Sequence, residues 1–257
     1  MTFQPVVLET TRGRGVAGVA VGILHIASPF PLLPGNPQNA GSFNFPVLYE
    51  CVEGLSPAAV MSGDPCGAAP LLAAAQRLQD AGVRIIVGSC GSFANFQSLL
   101  ISELEIPVYA SVMTLVPHIL AGLPAGRRLA MVFADIRSCT PKVLAECLVT
   151  EPVRIAPIGC QDLPRFRPLI EGRTRFEAEA FRSDFMAFLA AELGTDSSIG
   201  AVMLQCSELA PYAADVAGLL GLPVYDGAAL VRWAHSAVAP PAPTGQLFNV
   251  RIVGPEP

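Results

Sequence analysis

The sequence predicts an α/β protein built as two similar parallel-sheet α/β domains related by a pseudo-twofold axis, with an active site between them. Three observations carry this expectation. Strand-type and helix-type segments alternate almost throughout, the pattern of a parallel sheet with crossover helices. One local pattern occurs twice: Val83-Arg-Ile-Ile-Val-Gly-Ser-Cys90-Gly-Ser92 and Ile199-Gly-Ala-Val-Met-Leu-Gln-Cys206-Ser207. Each is a short apolar run, then a cysteine, then small or hydroxyl residues opening a helix. The first strand of each half also ends near a serine, Ser28 or Ser138, at a similar separation from its cysteine.

The elements follow in order. Val16 to Ala27 is a continuous apolar run and reads as a buried first strand. Residues 28–46 form a loop carrying Pro29, Pro31, Pro34, Pro37 and Pro46 with Gly35 and Gly41, long enough to suggest a lid or a binding wall. Ala68–Ala81 has helical spacing, and Gly82 is placed to end it. Val83–Val87 is the strand leading to Cys90, followed by a helix over Phe93–Ile101, a strand over Ile106–Ala110 and a helix over Val112–Ala121. Gly122-Leu-Pro-Ala-Gly126 breaks the pattern. It divides a first domain, 1–123, completed by 227–257, from a second, 124–226. In the second, Arg128–Ala134 is a strand, Pro141–Val149 a helix and Val153–Ile158 a strand. A long helix over Thr174–Leu193, bounded by Gly194, precedes the strand to Cys206. A helix near Pro211–Leu220, a strand over Leu222–Tyr225, a helix over Leu230–Val238 and a last strand over Leu247–Val253 complete the reading.

Composition narrows the function classes. The 257 residues are 52% hydrophobic and 14% charged, with a formal charge of −5. A chain of this make-up buries a sizeable core, and its apolar excess is compatible with a homo-oligomer. Lysine and arginine form no cluster, which argues against nucleic acid or an anionic membrane as partner. Seven cysteines, an odd number, read as reduced thiols rather than a disulfide framework. No zinc-type spacing, Schiff-base lysine context or dinucleotide fingerprint is present, so neither metal nor cofactor is expected. Arg12 and Arg14 before the first apolar run imitate a signal peptide, but the run is short and no small-x-small site follows it. The expectation is a cytoplasmic protein.

The repeated cysteine carries the chemistry. At the carboxyl end of a parallel strand, a side chain faces the crevice where ligands bind. The helix start beside it offers N–H groups that favour thiolate over thiol. Two thiols in matching settings therefore suggest two groups facing one substrate. Cys51, Cys66, Cys139, Cys147 and Cys160 lack that context and read as packing or incidental residues, though Cys139 lies in a loop that could line the pocket. Several neighbours have two readings each. Asp135 either orients a group in the site or caps the following turn; Arg137 either binds a carboxylate or forms a surface ion pair. Glu208 either polarises Cys206 or receives a substrate ammonium, or is a first-turn acid favoured by the helix dipole. Phe43 and Phe45 either wall the pocket or anchor the loop, and His25 reads as a core histidine.

At these residues the chain resembles the aspartate/glutamate racemase superfamily of cofactor-independent enzymes. Gly22-Ile-Leu-His-Ile-Ala-Ser28 is similar to its first strand, and Gly88-Ser-Cys-Gly-Ser-Phe93 to its first cysteine loop. Ala134-Asp-Ile-Arg-Ser-Cys-Thr-Pro141 is similar to the loop opening its second domain, and Gln205-Cys-Ser-Glu-Leu-Ala-Pro211 to its second cysteine motif. The resemblance implies a small-molecule carboxylate substrate held between the domains. One thiol, Cys90 or Cys206, removes the Cα proton, and the other delivers a proton to the opposite face. It further implies that Ser28, Ser92, Ser138, Thr140, Ser207 and Glu208 bind the substrate. Where many members carry an acid at the end of the first strand this chain has Ala27, and Glu208 follows the aspartate-type motif.

The resulting expectation is a racemase or epimerase of an amino acid or related carboxylate, independent of pyridoxal phosphate and dependent on both thiols. Maleate isomerase-like, arylmalonate decarboxylase-like and hydantoin racemase activities are alternatives within the same superfamily. A non-catalytic carboxylate-binding protein is the alternative outside it. A hydrolase is disfavoured because neither cysteine has a histidine nearby in sequence.

Overall fold

The structure, a computed structural model, describes residues 17–27, 29, 31–55, 57–171 and 174–240. Ser28 and the expected strand Leu247–Val253 lie outside the described residues. In the first half the strands are β1 (Val21–His25), β2 (Val47–Cys51), β3 (Ile85–Gly88) and β4 (Val108–Tyr109), all parallel in the order β2-β1-β3-β4. In the second they are β5 (Arg128–Phe133), β6 (Ile155–Gly159), β7 (Ile199–Leu204) and β8 (Val224–Tyr225), parallel in the order β6-β5-β7-β8. The two orders are the same once the strands of each half are numbered from its own start, which is the expected duplication. The helices are α1 (Pro57–Ser62), α2 (Ala68–Ala81), α3 (Gln97–Glu103), α4 (Val116–Gly122), α5 (Pro141–Glu146), α6 (Arg167–Ile170), α7 (Ala178–Leu193), α8 (Ala213–Leu220) and α9 (Gly227–Val238).

The central strands are apolar throughout because both faces of each sheet are covered, as parallel sheets require. Alternate residues serve different cores. Val21, Ile23, Ile85 and Val87 join Leu129, Met131, Phe133, Ala201 and Met203 in one core shared by the two sheets. Leu24 and Ile86 point the other way, against Leu71, Ala74, Ala75 and Leu78 of α2. Ala130, Val132, Val202 and Leu204 likewise pack on Phe181, Phe185 and Leu189 of α7. Each such aliphatic, fully buried, contributes about 1.5–3 kcal/mol of transfer free energy. The shared core therefore holds the two halves together. Helix α9 packs on β1 and β3, so the end of the described chain returns to the first sheet.

Local signals end the helices where the sequence places them. Gly82 closes α2 in the left-handed conformation (φ 92°), its N–H bonding back to Gln79 and Leu78. Three expected helices differ at their starts. Those expected from Phe93, Val112 and Pro211 are preceded by 3₁₀ segments, Gly91–Phe96, Val112–Leu115 and Ser207–Tyr212, before α3, α4 and α8 begin. Each follows a strand almost directly, and the tighter 3₁₀ turn redirects the chain within a few residues. Strand β2 was not expected from the sequence. It is an edge strand, half-buried at every position, and its Glu50 faces Arg77 of α2 at 2.5 Å rather than the core.

Candidate active site

Cys90 and Cys206 occupy equivalent places at the carboxyl ends of β3 and β7. Each caps the N-terminus of a 3₁₀ segment in extended geometry, with φ/ψ of −85°/124° for Cys90 and −80°/129° for Cys206. The two loops touch. A Cβ on Gly91 would stand 2.2 Å from the Gln205 carbonyl oxygen, so only glycine allows the backbones of the cysteine loops to meet. Charge on the Cys90 sulfur in turn opposes ionisation of Cys206. The duplication thus brings both thiols to one seam between the halves.

Their environments then diverge at the second residue after each cysteine. After Cys90 this is Ser92, buried at 6% exposure; its N–H, its hydroxyl and the Phe93 N–H all favour a negative sulfur. After Cys206 it is Glu208, whose Oε2 accepts from the Cys206 thiol (3.2 Å) and from the Ser207 hydroxyl (2.8 Å). Burial is the largest influence on both thiols. It pushes Cys90 up to about 11, with the Glu208 charge adding to it. It pushes Cys206 well above the ordinary thiol range, reinforced by the adjacent Glu208 carboxylate. The N–H groups of the helix starts act as expected from the sequence, but burial outweighs them, and both cysteines rest as thiols.

Each half also supplies a loop to the other half's cysteine segment. Helix α5, from the second half, packs on Gly91–Phe96, and Glu146 accepts from the Ser98 N–H at 2.9 Å. The proline-rich loop of the first half packs on Ser207–Tyr212. A Cβ on Gly35 (φ 98°) would stand 2.8 Å from Pro211 Cα, and Asn36, 1% exposed, points its amide N–H at Glu208 Oε1 (3.5 Å). Asn36 is held in that attitude: its side-chain oxygen accepts from the Gln38 N–H (2.8 Å) and its carbonyl from the Ser42 hydroxyl (2.8 Å). The sequence singled out this loop, including its Pro34-Gly-Asn-x-x-Asn39 segment, without giving Asn36 a role. Its contact with Glu208 spans 172 positions and has no local signal.

The remaining expected residues are spread more widely. Ser138 is buried but donates its hydroxyl to the Asp135 carbonyl (2.6 Å), and the Thr140 hydroxyl caps α5 through the Val143 N–H (3.1 Å). Both hydroxyls are thus engaged in their own turn. Asp135 caps the turn over Ile136–Ser138 and pairs with Arg137, whose side chain is 86% exposed, so these two form a surface pair. Phe43 stacks on Phe45 and Phe45 on His235 of α9, at ring separations of 5.4 and 3.6 Å, which anchors the loop. His25 meets Tyr49 edge-on at 5.9 Å. Among the described residues no group of three or more histidine, cysteine or acidic side chains is arranged to hold a metal. Nor is any helix among them long and apolar enough to cross a membrane.

Comparison with solved structures matches this architecture. Allantoin racemase from Klebsiella pneumoniae superposes with a TM-score of 0.61 over 86% of this chain and 88% of its own, at 19% identity. The chain has the aspartate/glutamate racemase fold. Two other enzymes also superpose on it. Glutamate racemase from Bacillus anthracis gives a TM-score of 0.55 over 86% of this chain and 81% of its own, at 13% identity. Arylmalonate decarboxylase gives 0.52 over 90% and 97%, at 17% identity. No protein-family model matches the chain. Among curated proteins, dimethylsulfoniopropionate lyase 5 of Emiliania huxleyi (strain CCMP1516) is 30% identical over 228 residues, 85% of this chain and 45% of that protein. Dimethylsulfoniopropionate lyase 6 of the same organism is 29% identical over 217 residues, 80% of this chain and 56% of that protein. The chain thus spans about half the length of these relatives.

Proposed function

We propose that this chain is an enzyme that removes the proton α to a carboxylate and expels a β-sulfonium group, the reaction of a dimethylsulfoniopropionate lyase. The observation that carries this reading is the difference between the two thiols. Burial favours the thiol at both positions; Ser92 opposes it at Cys90, whereas the directly bonded Glu208 carboxylate reinforces it at Cys206. An elimination needs one base. Cys90 as thiolate takes the Cα proton, the released electron pair forms the carbon–carbon double bond, and the Cβ–S bond breaks with its pair on sulfur. Dimethyl sulfide leaves neutral, without a proton, and acrylate remains. A racemase needs two thiols that exchange the roles of base and acid, which this asymmetry opposes.

The raised pKa of Cys90, about 11, also suits a cationic substrate. Near neutral pH burial therefore holds Cys90 as the thiol. A sulfonium charge within a few ångströms favours the thiolate and restores the base on binding. The curated relatives, which carry the lyase name over most of this chain, support the same reading. Racemisation is the second reading, favoured by the matched backbone geometry of Cys90 and Cys206. Proton NMR in deuterated water separates them. The lyase converts dimethylsulfoniopropionate to dimethyl sulfide and acrylate. A racemase leaves it intact and exchanges the Cα proton of an amino or hydantoin-type acid, and that result would displace the proposal.

A further inference from the structure

Glu208 has a second side. Its Oε2 is occupied by Cys206 and Ser207, but among the described residues Oε1 receives only the long 3.5 Å contact from Asn36. Glu208 borders a surface depression lined also by Pro31, Leu33, Asn36, Phe176 and Pro211. The walls are therefore a phenyl ring, two prolines and a leucine around one carboxylate. The Asn36 amide cannot rotate to present its oxygen there, because the Gln38 N–H already holds that oxygen at 2.8 Å.

We infer that this depression seats a methylated onium head group, a sulfonium or quaternary ammonium carrying no N–H. A primary ammonium is compact and strongly hydrated and needs several acceptors to replace its water, whereas these walls offer one carboxylate. A methylated onium spreads its charge over methyl groups. It gains from contact with apolar walls and from an aromatic face, while Glu208 balances its charge. The depression is small, with room for about one water, so the methyl groups would sit at its surface rather than deep within it. The position also fits the chemistry. In a 3-sulfoniopropionate the sulfur is two bonds from Cα, and Glu208 links the depression to the Cys206 thiol through one 3.2 Å hydrogen bond. A head group beside Glu208 therefore lies one carboxylate away from the Cys206 thiol.

The assignment rests on the elimination reading for its choice of substrate, but its test needs no turnover. Trimethylsulfonium and the neutral, similarly shaped tert-butanol are titrated into the full chain and followed by NMR. The comparison includes Phe176→Leu, which keeps an apolar wall without the ring, and Glu208→Gln, with folding verified by circular dichroism. Trimethylsulfonium is expected to bind at least about tenfold more tightly than tert-butanol. Phe176→Leu should weaken it about threefold and Glu208→Gln about tenfold or more. Equal binding of the two probes, or unchanged trimethylsulfonium affinity in both variants, overturns the assignment. Dimethyl sulfide release without such binding removes the subsite and leaves the elimination. Binding without release removes the elimination and leaves the subsite.

Discussion

Replacing Gly91 with alanine tests whether the two cysteine loops meet as the structure has them. The new Cβ would stand 2.2 Å from the Gln205 carbonyl oxygen and 2.4 Å from the Gln205 side-chain amide. The amide can rotate away; the carbonyl cannot, because the Gln205 N–H bonds to Val132 in the middle of the second sheet (2.9 Å). Ordinary contact begins near 3.4 Å, so the loops must separate by about 1.2 Å. Overpacking of this kind costs about 1–3 kcal/mol, which for a chain of this size lowers Tm by roughly 2–10 °C. A displacement of ~1 Å between reacting groups lowers turnover about 10²-fold. The assay pairs dimethyl sulfide release, or Cα–H exchange in deuterated water, with thermal unfolding. Gly218→Ala is the control: nothing lies within 4 Å of its added Cβ, and it sits inside α8, so it should be neutral or stabilising by about 0.5–1 kcal/mol. Wild-type turnover and wild-type Tm in the Gly91→Ala protein would refute the contact and the shared seam built on it.

Two further outcomes are expected. Cys90→Ser should lower elimination by about 10³-fold or more and Cys206→Ser by only about tenfold, measured as kcat for dimethyl sulfide release; equal and complete losses would instead indicate the two-base mechanism. Alkaline pH should weaken the fold through Cys147 and Cys160, 3% and 0% exposed, whose thiols burial pushes up to about 12. Their folded values lie above their unfolded ones, so the associated stability is full below about pH 9 and is lost as pH rises toward 12. That is about 2 kcal/mol per thiol by pH 10.5. Urea titrations at pH 8 and 10.5 should show the loss in the wild type and a shallower one in the Cys147→Ala/Cys160→Ala protein; identical losses would sink the assignment.

Much of the frame was legible in the sequence because its signals are local. The apolar runs of β1, β3, β5 and β7, the glycine ending α2 and the repeated cysteine pattern each depend on neighbours within a few residues, and each appears at or within one or two residues of the run that was read, though β1 occupies only Val21–His25 of the expected Val16–Ala27. Strand β2 escaped because an edge strand gains from one neighbour only and tolerates a mixed, half-buried sequence such as Val47-Leu-Tyr-Glu-Cys51. The 3₁₀ starts escaped because helical spacing does not distinguish a tight first turn from an α-helical one.

For the site, the sequence by itself singled out the candidate residues: two cysteines at strand ends, one followed by Gly91 and Ser92 and one by Ser207 and Glu208. Tertiary structure decided their state. Whether a thiol ionises depends on the water and charge around it, and those come from chain far away: the proline-rich loop 172 positions before Glu208, the opposing cysteine loop and the shared core. A helix start promises a thiolate from sequence alone. Enclosure between two sheets takes that promise back, because desolvation of a charge outweighs a few N–H dipoles.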